Sequence, residues 1–133
     1  MRQRAEHPLK LDGPAAARDF FAGCLAETDP ALETLWVAHL DDQSRCLHLS
    51  RHAGSEHGVD FPFRSIVGDA AILGSAAILL AHNHPSGDST PSEADKRVTR
   101  RLAAAAEALD CAVADHLIFA RGESVSFREL GLL

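Results

Sequence analysis

The chain has 133 residues, a length typical of one globular domain. Hydrophobic residues make up 46% of it and charged residues 24%, which excludes a disordered chain, a collagen-like repeat and a disulfide-dense mini-protein. The 13 basic and 19 acidic side chains give a formal net charge of -6, which weighs against a protein that coats nucleic acid. The 8 histidines stand out, and their positions must distinguish metal binding or acid–base chemistry from polar surface.

The cysteines and the apolar runs predict a cytoplasmic protein without a membrane segment. Cys24, Cys46 and Cys111 lie far apart and no pair has C-x-x-C spacing, so we expect free, buried thiols in a reducing compartment. Residues 1–12 are polar and lack the apolar stretch of a signal peptide. The most apolar run, 70–81, is shorter than the roughly 20 residues that cross a bilayer.

In the first half of the chain, the pattern predicts a polar lead-in over 1–12 and then a domain over 13–133. Asp12-Gly-Pro14 is typical of a helix start, because aspartate caps a helix and proline suits its first turn. Gly74 suits the end of another helix. The predicted elements are a helix over 15–26, a strand over 33–40, a return strand over 45–51, a loop over 52–57, a short strand over 59–61 and a helix over 64–73.

In the second half, the apolar run 76–81 is short and bounded by turn residues, as expected for a central strand covered on both faces. Two prolines and a glycine make 82–91 a loop. Ser92 and Asp95 have the spacing of a helix capping box, with aspartate in place of the usual glutamate or glutamine. The remaining predicted elements are a helix to about residue 109, a strand over 111–119, a return strand over 124–126 and a final helical turn over 127–133. We therefore predict an α/β fold in which helices flank a single mixed β-sheet.

The stretch from His82 to Asp95 carries the chemistry. His82 and His84 are one residue apart, so a strand that continued through them would place both imidazoles on the same side. Asp95 follows in the first turn of the next helix, and a rigid loop with two prolines lets its carboxylate meet the imidazoles. Two histidines and one carboxylate, with a fourth position left for water, are the ligand set of a catalytic zinc.

Each of these residues also has a plainer interpretation. Most histidines are polar surface or hydrogen-bonded core groups, so the H-x-H pair can be incidental. Ser92 caps a helix whatever else it does, and the helix dipole favours Asp95 near a helix N-terminus without any metal. The spacing favours the metal interpretation without establishing it.

The JAMM motif of the JAB/MPN metalloprotease superfamily, H-x-H-x7-S-x-x-D, is matched by His82-Asn-His84-Pro-Ser-Gly-Asp-Ser-Thr-Pro-Ser92-Glu-Ala-Asp95. The amino-acid sequence of this stretch resembles that of the RadC branch of the superfamily. So do Asp115-His116-Leu-Ile and the ending Ser126-Phe-Arg-Glu-Leu-Gly-Leu-Leu133. The resemblance covers the first helix and roughly residue 30 to the C-terminus, and it implies the JAB/MPN fold, which is cytidine-deaminase-like.

This resemblance implies a site and a reaction. His82, His84 and Asp95 would hold Zn²⁺, which would lower the pKa of a bound water to roughly 7. Glu33 fits the register of the superfamily's early-strand pattern E-x-F-x-x-L-x-L-D, which implies a general acid/base; alone, it would be interpreted as a solvated strand-edge carboxylate. Ser92 would stabilise the oxyanion. Related enzymes cleave peptide or isopeptide bonds, so we expect a zinc metallopeptidase with a protein or peptide partner.

Two other functions stay open. Superfamily members exist that keep the fold without activity, so the chain could be a non-catalytic metal-binding interaction module. The RadC name suggests DNA repair, but RadC proteins typically carry an N-terminal helix–hairpin–helix segment, and this chain begins too late for us to expect one. Together with the acidic charge, this makes DNA binding unexpected. The sequence indicates no oligomeric state.

Other polar residues have both a functional and a structural interpretation. Asp115 and His116 point to opposite faces of a strand, and they either support a ligand histidine by a hydrogen bond or form a hydrogen-bonded core pair. His52 and His57 are expected in an exposed loop rather than over the site. A solvated helix face, rather than a nucleic-acid site, is expected for the basic group Lys96, Arg97, Arg100 and Arg101.

Overall fold

Five strands form one mixed sheet in the computed structural model, which describes residues 9–54 and 61–133. The elements are α1 (Pro14–Ala26), β1 (Thr34–Leu40), β2 (Cys46–Ala53), α2 (Phe63–Leu73), β3 (Ala77–Asn83), α3 (Glu93–Glu107), β4 (Ala112–Ala120) and β5 (Glu123–Ser126). The strand order is β2-β1-β3-β4-β5. Strands β3 and β4 are parallel and α3 connects them, whereas the other neighbouring strands are antiparallel. The predicted fold class, one mixed sheet flanked by helices, is confirmed.

Two apolar layers cover the two faces of the sheet. Ile78 and Leu80 of β3 belong to the core under α2 and α3, whereas Leu79 and Ala81 belong to the core under α1. All four side chains are buried, as expected for a central strand with neighbours on both faces. By this alternation, His82 lies on the face that α2 and α3 cover.

The ends of the helices follow local signals in the sequence. Pro14 lies in the first turn of α1 as predicted, but Gly13 rather than Asp12 is the N-cap residue, and no side chain caps this helix. Helix α2 ends at Gly74 as predicted, in the left-handed conformation that glycine adopts without strain. The capping box predicted for α3 is present. Within residues 9–54 and 61–133, no helix has the length and apolar content needed to cross a membrane.

The predicted loop over 52–57 is wrong at its start. Strand β2 continues to Ala53, and His52 therefore lies on an edge strand, where its Nε2 is 3.1 Å from Ser50 Oγ. His57 and most of the predicted strand over 59–61 lie outside the described residues, and Phe61 itself is not in a strand.

Two predictions near the site and the C-terminus are also corrected. Strand β3 continues to Asn83, beyond the predicted end at residue 81, because His82 pairs with β1 on one side and β4 on the other. The C-terminal segment forms hydrogen-bonded turns rather than the predicted helical turn. Phe127 donates its backbone N–H to His116 O over 3.0 Å, and the two rings stack with centroids 4.6 Å apart. These contacts hold the C-terminal segment against β4.

Candidate metal centre

Three side chains predicted as metal ligands meet at the C-terminal end of β3. His82 lies on β3, His84 directly follows the strand, and Asp95 is in the first turn of α3. Asp95 Oδ1 is 3.5 Å from His82 Nε2, and Asp95 Oδ2 is 3.1 Å from His84 Nε2. One ligand atom from each residue lies within 4.8 Å of the other two, so the cluster could hold a metal ion.

The loop between β3 and α3 brings Asp95 back to the histidines. Asp88 Oδ1 accepts hydrogen bonds from the backbone N–H and the hydroxyl of Thr90, over 3.0 and 2.7 Å. Asp88 O lies 2.7 Å from His84 Nδ1, so the loop is also tied to the end of β3. Gly87 has φ 89°, a backbone conformation that glycine adopts without strain. The loop is thus held by its own hydrogen bonds up to the start of α3.

The nitrogen atoms that face the cluster suit a metal. A carbonyl oxygen only accepts, so His84 Nδ1 donates to Asp88 O and a neutral His84 has its lone pair on Nε2. His82 is 3% exposed, and its Nε2 is buried without a hydrogen-bond partner in the part of the chain that the structure describes. An unpartnered buried nitrogen is costly, and a bound divalent metal would satisfy it. Two imidazole nitrogens and a carboxylate therefore fit such an ion.

Burial and mutual contact set the pKa values of the cluster. Burial lowers the pKa of His82 to about 4, so this imidazole is neutral at pH 7. The hydrogen bond with Asp95 raises the pKa of His84. Burial alone would raise the pKa of Asp95, but the hydrogen bond with His84, the nearby His82 and the bonds with Ser92 outweigh it and lower this pKa. The carboxylate is therefore available as a charged ligand at neutral pH.

Glu33, the predicted acid/base, is placed beside the cluster. It immediately precedes β1, and its Oε2 lies 3.8 Å from His82 Nε2 because Leu35 pairs with His82 between β1 and β3. Burial raises the pKa of Glu33 above its usual value, although the neighbouring His84 opposes this shift. A cavity of about 100 Å³ adjoins the carboxylate. The cavity is lined by Glu33, Leu35, Phe61, His82, Ala94, Asp95, Val98 and His116.

Ser92 has the helix-capping role that its spacing predicted. Its Oγ accepts the backbone N–H of Asp95 over 2.9 Å, and Asp95 Oδ2 accepts the backbone N–H of Ser92 over the same distance. The hydroxyl hydrogen is not used in the cap, and the side chain is exposed. Ser92 can therefore cap α3 and still donate a hydrogen bond to another group.

Asn83 is a site residue that the sequence reasoning missed. Its Oδ1 accepts the backbone N–H of Thr34 over 2.8 Å, and its Nδ2 donates to Leu32 O over 3.0 Å. These two bonds hold the residues on either side of Glu33. The signal in the sequence was weak, because an asparagine between two histidines gains this meaning only once β1 is known to lie beside β3.

His116 supports a ligand histidine by a hydrogen bond, whereas Asp115 is a hydrogen-bonded core residue. His116 Nε2 lies 2.8 Å from His82 Nδ1, and His116 Nδ1 lies 2.7 Å from Thr99 Oγ1, so His116 is in direct contact with the cluster. Asp115 is part of a core network on the other face, where it accepts the Ser126 hydroxyl over 2.6 Å. Thr99 was not singled out from the sequence, since a threonine inside an amphipathic helix carries no distinct signal.

The sequence model of one protein family, the RadC-like JAB domain, matches residues 11–132. The match extends over nearly the whole chain. It includes Glu33, the cluster of His82, His84 and Asp95, and His116.

Proposed function

The chain belongs to the RadC-like JAB domain family, and from this premise we propose that it is a zinc-dependent hydrolase that cleaves a peptide or isopeptide bond. The observation that carries the proposal is the buried Nε2 of His82, which is aimed at Asp95 and lacks a hydrogen-bond partner among the described residues. Two histidines and one carboxylate leave further coordination positions for water and substrate, which is the ligand set of catalytic rather than structural zinc.

Bound Zn²⁺ would act as a Lewis acid that polarises the scissile carbonyl and makes water nucleophilic near pH 7. His82, His84 and Asp95 would hold the ion. Glu33 would accept a proton from the attacking water and deliver it to the leaving amine. The raised pKa of Glu33 supports this role, because a carboxyl group that both takes and gives a proton works best with a pKa nearer to neutral.

Ser92 would stabilise the oxyanion with its hydroxyl. Its Oγ already accepts the N–H of Asp95, so the cap fixes the oxygen while the hydroxyl hydrogen can rotate towards the substrate. Ser92 would then both cap α3 and donate a hydrogen bond to the oxyanion of the transition state.

We propose that the partner is a protein or peptide, with DNA binding disfavoured. Arg97 and Arg100 are exposed on α3, but Lys96 Nζ pairs with Glu93 over 3.1 Å, and the Arg101 guanidinium lies 3.9 Å from the centre of the Phe63 ring. Such a face, in a chain of net charge -6, is typical of a solvated helix.

A cytoplasmic location is part of the same proposal. All three cysteines are free thiols; Cys111 is buried, and Cys24 and Cys46 are half-buried. Free thiols are typical of proteins in a reducing compartment.

Metal analysis of untagged, zinc-supplemented protein is the first test. We expect about one zinc per chain, and less than about 0.2 would overturn the ligand assignment. Glu33→Gln should keep the zinc and abolish cleavage of a fitting peptide, and equal turnover in the two proteins would refute the role of Glu33. The same variant used as a trap in a pull-down should retain the substrate.

A further inference from the structure

We propose that Thr99 and His116 fix the tautomer of His82, so that the lone pair of His82 Nε2 faces the metal centre before any ion binds. The inference rests on the proposed function in one respect, since it takes His82 as a metal ligand. Thr99 and His116 are positioning residues in this proposal: they act through His82 and touch neither metal nor substrate.

We call the series of hydrogen bonds that joins Thr99, His116 and His82 the relay. It starts at the hydroxyl of Thr99. Thr99 Oγ1 lies 2.7 Å from the backbone oxygen of Asp95 and 2.7 Å from His116 Nδ1. A carbonyl oxygen can only accept, so the single hydroxyl hydrogen of Thr99 is committed to Asp95. Towards His116 the hydroxyl can therefore only accept, and His116 Nδ1 must carry a hydrogen.

The second step passes from His116 to His82. His116 is 2% exposed, and burial favours the neutral imidazole. A neutral ring with a hydrogen on Nδ1 has its lone pair on Nε2, which lies 2.8 Å from His82 Nδ1. His82 must then donate from Nδ1, and as a neutral ring it has no hydrogen on Nε2.

A separate observation supports the end point of this series of hydrogen bonds, His82 Nε2. The atom that the relay leaves with a bare lone pair, His82 Nε2, is the buried nitrogen that lacks a hydrogen-bond partner within the described ranges, and it faces Asp95 Oδ1 over 3.5 Å. A hydrogen on this atom would point at the metal centre and would have to move before an ion could bind. The chain of bonds removes that step.

The relay also joins the three elements that build the centre. It runs from the backbone of Asp95 and from Thr99 on α3, through His116 on β4, to His82 on β3. The Phe127 ring stacks on His116 at 4.6 Å and holds the plane of that imidazole. The carbonyl of one ligand residue thus determines the protonation of another.

Substitution of Thr99 tests the relay. Thr99→Val keeps the shape of the side chain and removes the hydroxyl, so His116 Nδ1–H loses its acceptor. We expect both rings to exchange tautomers: His116 would donate from Nε2, and His82 would carry its hydrogen on Nε2. Long-range ¹H–¹⁵N spectra of the metal-free protein would report this exchange directly. Affinity for Zn²⁺, measured by competition with a chromophoric chelator, should fall about 10–100-fold.

Two further variants separate positioning from simple stability. Thr99→Ser restores the hydroxyl and should restore both the wild-type tautomers and the affinity. Ser126→Ala removes the buried hydrogen bond that Ser126 of β5 donates to Asp115 of β4, on the opposite face of the sheet, and should lower stability without changing either readout.

Unchanged tautomers and affinity in Thr99→Val would overturn the relay. So would a loss of affinity in Ser126→Ala as large as that in Thr99→Val, because the effect would then follow stability alone. A wild-type chain that binds no zinc would refute the proposed function instead, and the spectra of the metal-free protein would still decide the relay.

Discussion

Ser92 and Asp95 hold each other by two reciprocal hydrogen bonds, each 2.9 Å long, at the start of α3. The same Asp95 Oδ2 that accepts the Ser92 N–H also lies 3.1 Å from His84 Nε2. One carboxylate therefore serves as a helix cap and as part of the candidate metal centre. Substitutions of Ser92 and of Asp95 should separate these two functions.

Replacing Ser92 with alanine should cost stability but leave the metal bound. Ser92→Ala removes the acceptor of the Asp95 N–H, and loss of an N-cap side chain costs about 1 kcal/mol. Asp95 can still accept the backbone N–H at position 92, so zinc should remain bound. Urea unfolding of the metal-free protein measures the cost, and Ser92→Thr, which retains a capping hydroxyl, is the control. An unchanged unfolding midpoint in Ser92→Ala would contradict the capping role.

Replacing Asp95 with asparagine should do the reverse. The amide oxygen of Asp95→Asn can still accept the Ser92 N–H, so α3 stays capped, but the charged ligand is lost. Changes outside the ligand set already cost about 10–100-fold in metal affinity, and the loss of a ligand should cost more. Chelator competition measures this loss. Wild-type affinity in this variant would remove Asp95 from the ligand set.

Local signals predicted the parts of this fold that depend on neighbouring residues. The apolar run before His82, the capping box of Ser92 and Asp95, and Gly74 each act within a few residues of the chain, and the structure has all three. The prediction of a helical turn over 127–133 was wrong, and the contacts that hold this segment are non-local: Phe127 donates its N–H to His116 O, and its ring stacks on His116 of β4.

The surroundings of the site depend on strand order, which no local pattern contains. Leu35 pairs with His82, and Leu80 pairs with His116, so β1 and β4 bring Glu33 and His116 to opposite sides of the same strand. The resemblance to a known family supplied Glu33. It could not supply the roles of Asn83 and Thr99, because these depend on the contacts of Asn83 with Leu32 and Thr34 and of Thr99 with His116 of β4.

The metal affinity should fall in acid because of His84. Its hydrogen bond with Asp95 raises its pKa above the usual 6.5 in the metal-free protein, and a metal must displace that proton. Affinity should therefore be greatest above the raised pKa and fall about tenfold per pH unit below it. His82, with a pKa of about 4, should add a second proton only in stronger acid.

Chelator competition from about pH 5 to about pH 9 would measure how the affinity for zinc depends on pH. His48→Gln is the control, because His48 is exposed on the edge strand β2 and should not change the profile. A flat profile across the whole range would show that His84 is not protonated in the metal-free centre.

The side chain of Asn83 should hold Glu33 in place without contributing to metal binding. Asn83→Ala removes both bonds to the residues that flank Glu33, at a cost of about 1–3 kcal/mol for the buried groups left unpaired. Once released, the Glu33 carboxyl should become better hydrated, and its raised pKa should fall towards 4.5. A ¹³C titration of the side-chain carboxyl measures this shift. Leu32→Ala is the matched control, since Leu32 gives Asn83 only its backbone oxygen. If Glu33 titrates alike in Asn83→Ala and the wild type, Asn83 does not position it.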